Sequence, residues 1–238
     1  CLLLWSSNIM LALKQALSLV STKKTGTVIP WNPIDESDLL AWYQNKVGVT
    51  LVGTEVTDWL DSSGNSHEME QATSEERPIY NAATGSLTFD SSFSQHLQTT
   101  EQMRLLGAFT IGFKMNATGT NNTILADNTT SEEYFKITSL TNLRFKTDAQ
   151  LGNLALDDGT LTDVYVVITR NASDLVRLYV NGNLQLASAT VTGTSDIDAI
   201  GIREPNINSF DGEIFEIQIY DTTNATLVSN VNTYLSNI

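Results

Sequence analysis

Residues 175–191 read LVRLYVNGNLQLASATV, and this stretch decides the fold class. In its first half Leu175, Arg177 and Tyr179 alternate with Val176, Leu178 and Val180, the period of a strand that buries one face. Asn181-Gly182 follows, the pair best suited to a two-residue hairpin because both turn positions need positive φ. The pairing is therefore antiparallel. Working outward, the same kind of segment recurs as LLAWYQ, VTDWL, SLTFD, HLQT, FTIGFKM, TILAD, YFKIT, LRFKT, VYVVITR, AIGI and EIFEIQIY, separated by Gly, Asn, Asp and Ser clusters. No helical period separates successive strands, which excludes a parallel βαβ sheet and leaves an all-β antiparallel sandwich. Only the end of the chain turns helical. Beyond Thr222 and Thr223, residues Leu227, Val228, Val231, Tyr234 and Leu235 share one apolar face, expected to close an end or edge of the sandwich.

Charge narrows the partners. The 238 residues carry 13 basic and 27 acidic side chains, a formal charge of −14, which repels phosphate backbones and argues against nucleic acid. The lone Cys1 excludes an internal disulfide framework. The apolar start, CLLLWSSNIMLALKQALSLVSTKK, is broken by Ser6, Ser7, Asn8, Lys14 and Gln15, so it does not read as a membrane span. Ile9, Leu13, Ala16, Leu17 and Val20 recur at helical spacing instead, predicting an amphipathic helix that ends near Thr22. TKKTGTVIPWNPID then reads as a linker. The expected organisation is an attachment arm over residues 1–34 and a sandwich domain over 35–238.

The run VTDWLDSSGNSHEMEQ, then RPIY, SLTFD, VRLYVNGNLQLAS and FDGEIFEIQIYD, resembles the concanavalin A-like, laminin-G-type jelly rolls, most of all those of bacteriophage and bacterial surface proteins. The resemblance covers about Asp35 to Ile238. The start MLALKQALSLVSTKK is similar to the beginnings of phage structural proteins, which implies Met10 as initiator. It also implies a place on a virion surface, or else an extracellular or bacterial cell surface. There the arm would join other virion or surface proteins, in a homo-oligomer or larger assembly.

Such jelly rolls imply carbohydrate recognition through loop amides, carboxylates and backbone groups, with rings stacking on sugar faces. The candidate ligand residues are Asn122, Asp127, Asn128, Asp157, Asp158, Asn206, Asn208 and Phe210. The net charge favours a neutral or cationic host glycan. Asp58, Asp61 and Asn65 in TDWLDSSGN could supply oxygens to a Ca2+ ion, though the same residues suit a tight turn. No other cofactor is implied. Asp211-Gly-Glu213-Ile-Phe-Glu216 resembles the Glu-x-Asp-x-x-Glu strand of sandwich glycoside hydrolases, but the first two acids are exchanged. In regular pleat Glu213 and Glu216 also face opposite sides unless a bulge intervenes. The reading is a non-enzymatic accessory protein of fibre or decoration type. A ligand-free decoration protein, an independent lectin and a glycoside hydrolase are the alternatives.

Overall fold

At residues 181–182 the chain turns as the Asn-Gly pair requires. Both residues have positive φ, 48° and 78°, and the flanking segments pair antiparallel. The computed structural model describes residues 30–129, 133–204 and 207–238. The helix expected to end near Thr22 lies outside them. The sandwich unit runs Asn32–Ile238. Its first turn, Pro33–Asp35, is capped by the Asn32 side chain and buries Pro33.

The strands form two antiparallel layers. The first runs in the order β1 (Leu39–Tyr43), β17 (Gly212–Tyr220), β8 (Phe109–Ala117), β13 (Val164–Arg170), β14 (Leu175–Val180) and β15 (Asn183–Thr190), with β6 (Leu87–Phe89) beside the start of β17. The second runs β2 (Val49–Val52), β3 (Glu55–Trp59), β4 (Met69–Glu70), β7 (Leu97–Leu105), β16 (Ser195–Ile200), β9 (Asn122–Ala126), β10 (Tyr134–Ser139), β11 (Asn142–Lys146) and β12 (Leu151–Ala155). The short β5 (Ile79–Tyr80) pairs with both β3 and β6 and joins the layers at one edge. Alternate residues from both layers meet between them. Phe109 of the first layer stands edge-on to Phe135 and Phe145 of the second, whose rings stack at 4.5 Å. Each such buried ring is worth about 1.5–3 kcal/mol, and each pair about 0.5–1.5 kcal/mol beyond that.

The C-terminal helix α1 (Ala225–Leu235) starts where Asn224 Oδ1 accepts from the Leu227 amide at 2.9 Å. Its buried face is Leu227, Val228, Val231 and Leu235. The sequence expectation put this helix at an end or edge; it lies across the outer face of the first layer, against β8 and β13. Gly112 is the reason. A Cβ at that position would sit 2.4 Å from Val231 Cγ1, so only glycine on the outward side of β8 lets the helix settle on the sheet.

Arg170, at the end of β13, points inward and is fully buried. Its guanidinium lies 5.2 Å from the Phe109 ring centroid. Nε donates to the Gly107 carbonyl at 2.6 Å, Nη2 to Leu105 at 3.1 Å, and Nη1 to Gly193 at 2.7 Å and Val191 at 3.4 Å. Leu105 ends β7 and Gly107 follows it in the β7–β8 connection, while Val191 and Gly193 lie in the β15–β16 connection, two of the places where the chain crosses between layers. Burial lowers the pKa of this group, with Asp174, Asp148 and Asp221 opposing from a distance. A lysine cannot span four acceptors on two loops. Arg170→Lys should therefore destabilise by about 3 kcal/mol, since each orphaned buried acceptor costs about 1–3 kcal/mol. Thermal unfolding should then show a Tm lower by about 6–12 °C for a domain of this size. A drop below about 2 °C on that scale would contradict the clamp.

Candidate functional site

The stretch Asp58–His67 is built as a staple. Asp61 Oδ1 accepts from the amides of Trp42 and Ser63, both at 2.9 Å, and Oδ2 from Ser63 Oγ at 2.6 Å and the His67 amide at 3.3 Å. Asn65 Nδ2 donates to the carbonyls of Leu39 and Leu40. Asp58 sits on β3, where its carboxylate accepts from Thr57 Oγ1. The three residues considered for Ca2+ thus serve different partners, and Asp61 already receives four donors. Among the described residues no group of three or more His, Cys, Asp or Glu side chains converges as a metal site. His67 is half-buried, and its carbonyl accepts from Tyr43 Oη at 2.6 Å.

The carboxylates of β17 do share a face. A register shift between Ile214 and Glu216 sets Ile214 opposite Met115 and Glu216 opposite Lys114, so Glu213 and Glu216 both project from the outer side. Their surroundings differ. Glu216 is buried: Oε1 accepts from Trp42 Nε1 at 2.7 Å and Gln218 Nε2 at 2.9 Å, and Oε2 from the Asn45 amide at 3.1 Å. Burial raises its pKa, and hydrogen bonds from Gln218, Asn45, Trp42 and Tyr234 pull it back. Glu213 accepts from Ser86 Oγ at 2.8 Å. Asp211 follows the β16–β17 connection, and its carbonyl accepts from the Thr118 amide.

The expected ligand residues do not converge on one place. Asn128 and Thr129 border a groove of about 710 Å3 with Gln98, Thr99, Gln102 and Asp198, and the Asp127 carboxylate behind them accepts from the Thr129 amide. Asp157 and Asp158 border a second cleft beside the Asn181-Gly182 turn, and the Asp157 carboxylate accepts from the Leu186 amide. Asn122 is buried and donates to the Asp211 carbonyl; Asn208 meets Asn121 Nδ2 at 2.5 Å. Phe210 is wholly buried, edge-on to Phe89, and offers no stacking face. Asn206 lies outside the described residues.

Sequence reasoning missed a third cleft. Tyr165 and Tyr179 project outward from β13 and β14, half-exposed, and border a cleft of about 470 Å3 along α1. Ser229, Asn232, Thr233 and Ser236 of the helix form its polar wall, with Gly182 at the turn. Aromatic rings beside amide and hydroxyl groups are the combination of surfaces that sugar recognition draws on. The signal was present in the alternation: Tyr165 and Tyr179 occupy outward strand positions where water-facing residues are expected.

A family model described as the concanavalin A-like lectin/glucanases superfamily matches residues 90–225. The chain belongs to that superfamily. No curated protein sequence matches the chain. Among solved structures, similar folds include the binding domain of Paraclostridial Mosquitocidal Protein 1 (14% identity, TM-score 0.58, covering 87% of this chain and 53% of that one). Another is the binding domain of botulinum neurotoxin DC in complex with rat synaptotagmin II (16%, TM-score 0.56, 84% and 52%). A third is a botulinum neurotoxin type C structure, whose cell entry depends on two ganglioside molecules (17%, TM-score 0.51, 84% and 51%). The chain spans about half the length of these structures, and at such identities the likeness is one of fold.

In this superfamily member, acids gather beside the 710 Å3 groove. Glu133 accepts from the Asp196 amide, Asp196 pairs with Arg104 at 3.0 Å, and Asp198 accepts from the Asn128 amide at 2.6 Å. Desolvation, with Asp196, Asp127 and Asp148 adding to it, raises Glu133 to about 7, while the hydrogen bond from the Asp196 amide opposes. Desolvation raises Asp198 too. A carboxyl whose folded pKa is raised binds more protons folded than unfolded, so its contribution falls as pH rises between the ordinary value and about 7. Tm should decline across that window, and Glu133→Gln should flatten the decline. An unchanged slope in the variant would show that Glu133 does not carry it.

Proposed function

We propose that the chain is a non-enzymatic carbohydrate-binding module of the lectin type, holding a sugar ring in the cleft between Tyr165, Tyr179 and α1. The observation that carries this reading is the pair of half-exposed tyrosines beside a wall of Ser, Asn and Thr side chains. A fold relative whose cell entry depends on two ganglioside molecules, and another that forms a complex with rat synaptotagmin II, support a binding role. Retaining hydrolysis needs two carboxyls about 5 Å apart, one free to attack and one to protonate. Glu216 is instead buried, with both oxygens accepting from Trp42, Gln218 and Asn45, which suits a structural part.

Saccharide-array binding followed by titration tests the cleft. Tyr165→Ala and Tyr179→Ala should each weaken the best sugar about tenfold, the equivalent of about 1.4 kcal/mol. Full affinity in both variants would remove the cleft from the account. Absence of any bound sugar would favour a ligand-free decoration protein, and release of reducing ends would favour an enzyme.

The reading extends to display on a virion or cell surface, with the residues before Asn32 as the attachment. Its support is the spacing of the apolar residues Ile9, Leu13, Ala16, Leu17 and Val20 in the sequence, a pattern that calls for a partner surface. A chain starting at Asn32 should stay folded and monomeric while losing assembly with itself or with particles, read by mass in solution and by co-sedimentation. Unfolding of the shortened chain, with a monomeric full chain, would make the stripe ordinary core.

A further inference from the structure

Beyond α1, which rests on β8 and β13, the outer face of the first layer continues over β14 and β15. Tyr179 stands directly across from Leu184, so the ring that walls the sugar cleft and the leucine share one face, with Cβ atoms about 4.5–5.5 Å apart. Further along, Ser188 lies across from Arg177 on that same face, and Gln185 is buried. Leu186 therefore stands outward as well. It is 88% exposed, the most exposed large apolar side chain among the described residues, and Leu184 is 47% exposed. Leu184 also borders the cleft of Asp157 and Asp158. Tyr179, Leu184 and Leu186 thus form an apolar strip that continues the tyrosine cleft away from the polar wall of α1.

The backbone beneath the strip decides what can lie on it. Both oxygens of the Asp157 carboxylate accept from the Leu186 amide, at 2.9 and 3.1 Å, and the Asp157 amide donates to Gln185 Oε1 at 2.9 Å. An added strand needs free main-chain groups, and this amide is taken, so the edge is closed to polypeptide pairing here while its leucine side chains stay exposed. A bilayer surface is disfavoured as well: Asp157 and Asp158 border the leucines in a chain of charge −14, which repels anionic lipid. We propose that the strip receives the alkyl or acyl tail of an amphiphilic glycoconjugate whose sugar occupies the tyrosine cleft. The proposal rests on the carbohydrate reading for the head group and adds the class of aglycone.

Calorimetric titration of the full chain with methyl and octyl β-glycosides of glucose, galactose and N-acetylglucosamine, below their micelle concentrations, tests it. For at least one sugar the octyl form should bind about tenfold more tightly than the methyl form. Leu186→Thr and Leu184→Thr keep strand-forming side chains, and each should lower that preference to about threefold or less. Their unliganded Tm should match the parent, since both leucines are exposed, so lost preference is read on a folded chain. Val52→Thr, at an exposed apolar position on β2, should leave the preference intact. Equal affinity for the two forms, or a preference that survives both leucine variants, would overturn the proposal. Methyl-glycoside binding that Tyr165→Ala abolishes would leave the cleft standing in that case, whereas octyl binding indifferent to Tyr165→Ala and to the head group would overturn both readings.

Discussion

One buried cation holds the two halves of this sandwich in register. Arg170 enters the core from the first layer and spends its donors on four main-chain carbonyls of the connections that cross between layers. A charge in such a place is tolerated only when its N–H groups are used, and here they satisfy four backbone acceptors. Because the planar fork fixes both crossovers at once, Phe109 is brought against Phe135 and Phe145. The position of β13 follows, and with it the outward direction of Tyr165. The candidate sugar cleft is therefore a consequence of core geometry, with loop composition playing little part.

The two outer faces acquire different chemistry from this arrangement. Gly112 lets α1 lie on the first layer, so that face becomes apolar beneath the helix and amphipathic along its margin, where the tyrosines emerge. Among the described residues no helix lies on the second layer, and that layer carries divided charge. Glu133, Asp196 and Asp198 gather near the β7 groove, and Lys136, Arg144 and Arg203 gather around Tyr134. A formal charge of −14 describes neither region.

Much of the fold was legible because its signals were local. Asn181-Gly182 specified its hairpin, alternation specified β8, β13, β14 and β17, and the helical face of Leu227, Val228, Val231 and Leu235 was read correctly. The strands β2, β4, β5 and β12 escaped notice because two are only two residues long and the others are exposed at alternate or most positions. The seat of α1 was not legible, since the space left by one glycine has no periodic signature. Site reading failed for a related reason. Short polar side chains in loops bond their own backbone first, as Asp61, Asp127 and Asp157 do, so polarity marked turns more often than ligands. The tyrosines were hidden in strands, where outward positions read as ordinary solvent-facing sheet. The resemblance to laminin-G-type jelly rolls was right for the superfamily, and the bulge at Phe215 decided the face of Glu216.

The central claim is that this superfamily member binds sugar at the margin of its helix. Backbone amide NMR of isotope-labelled chain, titrated with the oligosaccharide that binds best, tests it most directly. The account predicts shifts that cluster at Tyr165, Tyr179, Gly182, Asn232 and Thr233. Shifts confined to the β7 groove around Gln98–Gln102, or centred on Glu213 and Glu216, would contradict it.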